Sequence, residues 1–267
     1  MQFHRTVLRA ANSIFNLVVI LLLLIAGSYS VFALWDNERI YAAAGDVQAD
    51  MIKLKPEIAL TEEEDTGADF SELLKVNSDV CGWLTMDNTN VDYPVLQGAN
   101  NFSYINTDVY GNFSLAGSIF LDSRNNREFT DTFSLIYGHH MADSKMFGDL
   151  DLYKEEKFFR ENTTGSLILP NKAYKLEVIA CLLVPASEDN IFEPTTWQNY
   201  NISRLLEFTE NNSLNLNDEI FAELKTAKEP FQILALSTCS YEYTDARTIV
   251  LTRMKPFTSE ELGGQSK

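Results

Sequence analysis

Two adjacent histidines, His139 and His140, a cysteine, Cys239, and an arginine, Arg247, stand at the edges of apolar runs. The histidine pair follows Phe133-Ser134-Leu135-Ile136-Tyr137 and the turn residue Gly138. Cys239 comes just after Phe231 to Leu236 and Ser237-Thr238, and Arg247 opens Thr248-Ile249-Val250-Leu251. Strand ends and loop starts are where rigid scaffolds mount reactive groups. A thiol, an imidazole and a guanidinium at three such ends match a nucleophile, a proton carrier and an oxyanion stabiliser. Each residue alone also has a plainer reading: a cysteine ending a strand as inert core, an arginine opening one as a surface charge. The histidine pair with Asp143 or Asp149 would make a metal site, but no His-x-x-x-His or Cys/His spacing supports one.

The third histidine of the chain, His4, precedes a long apolar segment, so imidazole chemistry beyond that segment falls to residues 139 and 140. No Asp, Glu, Lys or Arg interrupts Ala10 to Trp35. At 1.5 Å per residue, Ile14 to Leu34 covers about 30 Å of hydrocarbon. The run exceeds a signal-peptide core, and Val31 and Ala33 make an indifferent cleavage site. It therefore reads as an uncleaved signal anchor rather than a cleaved signal or a buried helix. Arg5 and Arg9 ahead of it leave the N-terminus cytoplasmic and the rest of the chain outside the cell membrane. Outside the cell most thiols are paired, yet Cys81, Cys181 and Cys239 are odd in number and form no Cys-x-x-Cys, so at least one is left over. Catalysis is one reason for such a thiol, and burial as a small hydrophobe is the other.

The elements that must position these residues are mainly strands. Of 21 basic residues two precede Leu34, leaving 19 against 38 acidic ones beyond the anchor. That balance argues against a nucleic-acid partner, which needs clustered Lys and Arg. Residues 1–13 are a cytoplasmic segment, 14–34 the anchor, and 35–76 a helical stalk with N-terminal helices, broken by the acidic stretch Thr61 to Gly67. A short helix is expected with Asp69 or Ser71 as its cap and Phe70, Leu73, Leu74 and Val76 on one side. Residues 77–257 carry β-rich runs at Val91–Leu96, Gly117–Leu121, Phe133–Tyr137, Ser166–Leu169, Tyr174–Val184, Phe231–Leu236 and Thr248–Thr252, the spacing of an all-β sandwich or barrel. Met146 to Asn162 and Thr195 to Asn211 have helical periodicity, and 258–267 is a polar, frayed tail.

Several segments in order resemble the sortases. Tyr137-Gly138-His139-His140-Met141, with Met146-Phe147-Gly148, and Leu236-Ser237-Thr238-Cys239, with Arg247 downstream, look like sortase active-site motifs. Gly82-Trp83-Leu84, Val91 to Gln97 and Gly117 to Asp122 are similar to class B sortases in particular. The resemblance implies a mostly β fold with peripheral helices: an eight-stranded β-barrel with N-terminal helices and a helical insertion before the nucleophile strand. It implies Cys239 as nucleophile, His139 as general acid/base, Arg247 at the transition state, and His140 as a residue shaping the loop. It also implies a transpeptidase that cleaves a Thr-X bond in an Asn-Pro-x-Thr-like sorting signal of secreted proteins and passes the acyl group to a peptidoglycan amine, with no cofactor and no metal. Asn101, Ile105 and Ser237 are then substrate-groove candidates. Ala235 departs from the family's usual Thr, four residues before the thiol. The rivals are a thioester-hydrolysing peptidase, a pilus-polymerising sortase, and a tethered binding barrel with an inert Cys239.

Overall fold

A computed structural model of the chain describes residues 2–60, 66–197, 202–239 and 245–257. Helix α1 (Gln2–Ile52) runs without interruption through the expected anchor. Its segment Asn12–Ile52 is long and apolar enough to cross a membrane. The chain divides into two compact units between Ala43 and Ala44, so residues 44–76, the greater part of the expected helical stalk and N-terminal helices, fall in the unit that holds the barrel. Within that unit Met51 is buried with Phe70, Leu73 and Trp83. Helix α2 (Ser71–Val76) follows, its entry turned by Asp69, whose carboxylate accepts from the Ser71 N–H at 2.8 Å. Phe70 and Leu73 are buried as expected, but Leu74 is exposed. Most of the acidic break, residues 61–65, and the tail 258–267 lie outside the described residues.

The barrel strands are β1 (Val80–Met86), β2 (Asp92–Leu96), β3 (Ile119–Leu121), β4 (Phe133–Tyr137), β5 (Thr164–Ile168), β6 (Ala173–Pro185), β7 (Gln232–Cys239) and β8 (Ala246–Pro256). They pair in the order β6-β8-β7-β4-β3-β2-β1-β5, and β5 returns to β6. The eight-stranded barrel expected from the motifs is the fold, closed by the β5–β6 pair, and a further short strand, Ser213–Leu216, adds to β6. Two neighbouring pairs are parallel, β4 with β7 and β2 with β3. Strand β1 was not among the expected strands because nearly all its residues are buried, on both faces, and it lacks the alternation that marks a half-exposed strand. Strands β7 and β8 run further than their apolar cores, since their mutual ladder includes Ser237, Thr238, Arg247 and Thr248.

The expected helix over Met146–Asn162 is two pieces, a 3-10 turn at Gly148–Lys154 and α3 (Glu156–Glu161), separated by extended Glu155 (φ −78, ψ 118). Between β6 and β7 the insertion holds α4 (Asp189–Phe192), a 3-10 turn at Pro194–Trp197, α5 (Ser203–Asn212) and α6 (Asp218–Thr226). The periodicity over Thr195–Asn211 thus marks part of this insertion, with residues 198–201 outside the described ones. Helix α6 was not expected. Its start is capped by Asn217, whose side chain accepts from the Ile220 N–H, and it buries Phe221 and Leu224.

Candidate active site

Strand direction decides which residues meet. Because β4 and β7 are parallel, with Ser237 beside Tyr137, both end at the same end of the barrel. Strand β8 is antiparallel to β7 and therefore begins there. The Gly138 N–H donates to the Ser237 carbonyl at 3.1 Å, carrying the β4–β7 ladder one residue further and setting His139 beside the end of β7. On the other side of β7, Cys239 is the register partner of Arg247. Residues directly opposed in an antiparallel pair project to one face with Cβ atoms about 5 Å apart. The side chain of Cys239 and residues 240–244 lie outside the described ones; the backbone register of Cys239 is described.

The His139 ring is held by the chain between β2 and β3. Its Nε2 lies 2.7 Å from the Ile105 carbonyl oxygen. A carbonyl can only accept, so Nε2 carries a proton, and the neutral ring then presents Nδ1 as its basic nitrogen. The loop behind it is a tight hairpin, His140–Met141 against Lys145–Met146, turned by Asp143 and Ser144 in the left-handed region. The hairpin is fastened to β2 where the Met146 N–H donates to the Tyr93 hydroxyl at 2.8 Å. The Arg247 guanidinium donates to the Ala246 carbonyl at 2.9 Å. That uses one of five donors and leaves others for a ligand.

These groups share a cleft of about 330 Å3. One wall is apolar, made by Ile105, Phe120, Tyr137 and Phe192, and the polar side holds His139, Ser237, Thr238 and Arg247. The aromatic wall is continuous: Tyr137 lies 5.3 Å from Phe120 and stacks on Phe192 at 6.4 Å, ring centre to ring centre. Behind it, the fully buried Asp122 carboxylate accepts from the Tyr137 hydroxyl at 3.0 Å, the Asn101 amide at 2.9 Å and Arg124. Arg124 continues to the Phe192 carbonyl at 2.7 Å and to Glu193 at 2.8 Å, tying α4 to the barrel. Burial by itself would raise the Asp122 carboxyl, but the bonds from Arg124 and Asn101 hold it below the ordinary carboxylate range. Burial and the neighbouring Asp122 charge push the Tyr137 phenol up, so it stays a donor.

Of the sequence-derived candidates, His139, Arg247, Ile105 and Ser237 line one cleft, and Cys239 adjoins it by register. Asn101 is engaged elsewhere, donating to Asp122 and accepting from the Ser123 N–H at 2.7 Å. Asp149, considered with the histidine pair, instead accepts from the Asn90 N–H, and His140 bonds Asp151 at 3.1 Å. Cys81 is buried in β1, its thiol pushed up to about 12 by burial, and it donates to the Val95 carbonyl at 3.4 Å. Sequence reasoning missed Tyr137, Phe192, Asp122 and Arg124 as parts of the site. Tyr137 and Asp122 lay within quoted motifs, whereas nothing local marks Phe192 or Arg124.

No family model matches the chain. Sortase B of Listeria monocytogenes is 28% identical over 243 residues, covering 88% of this chain and 93% of its own. Sortase B of Staphylococcus aureus is 28% identical over 194 residues, covering 72% and 77%. Among solved structures, a Streptococcus pyogenes class B sortase involved in pilus biogenesis is 35% identical with a TM-score of 0.63. It matches over 70% of this chain and 98% of its own.

Proposed function

The chain belongs to the class B sortases and is a cysteine transpeptidase, and from that premise we propose that Cys239, His139 and Arg247 carry the transfer. The observation that carries this reading is the shared barrel end: Cys239 and Arg247 in register, with the Gly138–Ser237 bond bringing His139 alongside. The Cys239 thiolate attacks the Thr carbonyl carbon of the Thr-X bond in a sorting signal. The negative charge then growing on the carbonyl oxygen faces Arg247, whose guanidinium stays protonated at any working pH. His139 gives a proton to the departing amine, leaving a Cys239 thioester. A second amine attacks the thioester, His139 takes a proton from it, and the thiolate is released.

The proposed signal is of the Asn-Pro-x-Thr type. Ile105 and Ser237, both lining the cleft, are proposed to hold it. Asn101, bonded to the Asp122 that also holds Tyr137, is the third proposed groove residue. Residues 14–34 are proposed as a single-pass anchor with a cytoplasmic N-terminus, supported by Arg5 and Arg9 ahead of the apolar run. Residues 77–257 are the proposed catalytic region.

The proposed acceptor is a peptidoglycan amine. A protein Lys amine is a second reading, favoured by the 35% identity to a sortase involved in pilus biogenesis. The test incubates the full chain in detergent micelles with a pool of Asn-Pro-x-Thr peptides and either triglycine or a Lys-bearing peptide, read by mass spectrometry. Cleavage after Thr with an amine adduct, lost in Cys239→Ala, is the expected result. Cleavage to the free acid alone in both arms would make the chain a hydrolase. The acceptor that gives the adduct chooses between the wall and protein readings.

A further inference from the structure

The Asp151 carboxylate bonds to the immediate sequence neighbours of two proposed catalytic residues. Its Oδ2 lies 3.1 Å from Nε2 of His140, which follows His139. Its Oδ1 accepts from the Thr248 hydroxyl, which follows Arg247, at 2.8 Å. Lys154 adds an ion pair to Oδ1 at 2.8 Å. Thr248 is fully buried, and Asp151 and Lys154 are mostly so. We propose that Asp151 is a positioning residue that fixes the His139 loop to the start of β8 and so sets the separation of imidazole and guanidinium; this rests on the catalytic reading given above.

Three features support the assignment. Beyond the Gly138–Ser237 bond, the described strand pairing of the His139 loop is its own small hairpin, and none of the described ladders joins the loop to β8 directly. The clasp joins it to β8 through a third element, the 3-10 turn Gly148–Lys154, which packs on β8 and β7. Although burial pushes the Asp151 carboxyl up, the bonds from His140, Lys154 and Thr248 hold it below the ordinary range, so the clasp is a charged acceptor at neutral pH. Asp151 is not among the described residues that line the cleft, and its assigned role is positioning alone.

The test uses the full chain in detergent micelles, with Asp151→Asn, Thr248→Val, Thr248→Ser and His139→Ala. The readouts are the single-turnover rate of Cys239 acylation by the Asn-Pro-x-Thr pool, the KM, and long-range 1H–15N spectra of the imidazoles, which need no substrate. Displacement of the imidazole is expected to slow acylation roughly 10- to 100-fold in Asp151→Asn and Thr248→Val, with KM within about twofold. Thr248→Ser, which keeps the hydroxyl, restores the rate. In Asp151→Asn the His139 signals move from a single Nε2-protonated form toward a mixture of tautomers. Wild-type rates and unchanged His139 signals in Asp151→Asn, with His139→Ala inactive, would overturn the proposal and leave the catalytic reading standing. A lowered unfolding midpoint with a normal rate per folded enzyme would also overturn it. If His139→Ala acylates normally, the catalytic reading falls, and unchanged ring signals in Asp151→Asn then remove the clasp as well.

Discussion

Arg247 is the backbone register partner of Cys239, the proposed nucleophile, and its guanidinium keeps its charge at any working pH. Lysine keeps the charge at that position but not the planar fork that meets an oxyanion with two donors. Arg247→Lys is therefore expected to lower kcat about 100-fold or more, the usual loss for one oxyanion donor, with little change in KM. Stopped-flow acylation checks this, and a near-normal rate would remove Arg247 from the transition state. Asp122 gives stability a pH dependence. Its folded carboxyl sits below the ordinary range, so its contribution to stability is complete above about pH 4 and fades as pH falls through the lower folded value. Urea midpoints for wild type and Asp122→Asn should differ most at neutral pH and converge below about pH 4. A gap that stays constant down to pH 3 would contradict the charged network.

The long connection between β2 and β3 carries the His139 acceptor. Gly117 sits in it at φ +60, and a Cβ there would strike the carbonyl oxygens of Ile105 and Tyr104. The Ile105 oxygen is the one that holds His139 Nε2. Gly117→Ala therefore combines left-handed strain of about 1–2 kcal/mol with a displaced acceptor. It should lower the unfolding midpoint by several degrees and reduce kcat as well, the second effect being absent for an ordinary loop glycine. Helix α4 shows the same dependence on one remote contact, since Arg124 connects it to Asp122 and so sets Phe192 against Tyr137.

In the whole molecule, the division between Ala43 and Ala44 falls inside one continuous helix. The last turns of α1 belong to the barrel unit because Met51, 2% exposed, packs with Phe70, Leu73 and Trp83. Met51→Ala should destabilise the barrel unit by about 2–5 kcal/mol, the usual cost of emptying such a site. A denaturant titration of the full chain measures it, and a change below about 1 kcal/mol would mean that this helix end is not part of the core.

The apolar segment and the β character of residues 77–257 were legible as hydrophobic run length and alternation, local signals that need no knowledge of distant contacts. His139, Cys239 and Arg247 stood out as candidates through the resemblance of their segments to sortase motifs. The sequence did not reveal β1, whose two buried faces erase alternation, or helix α6, a nine-residue helix that buries Phe221 and Leu224. Tertiary structure alone decided that Asn101 bonds Asp122, that Phe192 walls the cleft, and that Asp151 spans the loop of His139 and the strand of Arg247. Those hydrogen bonds join residues 11 to 97 positions apart. Barrel closure and strand direction bring such pairs together, and neither is written in any one segment.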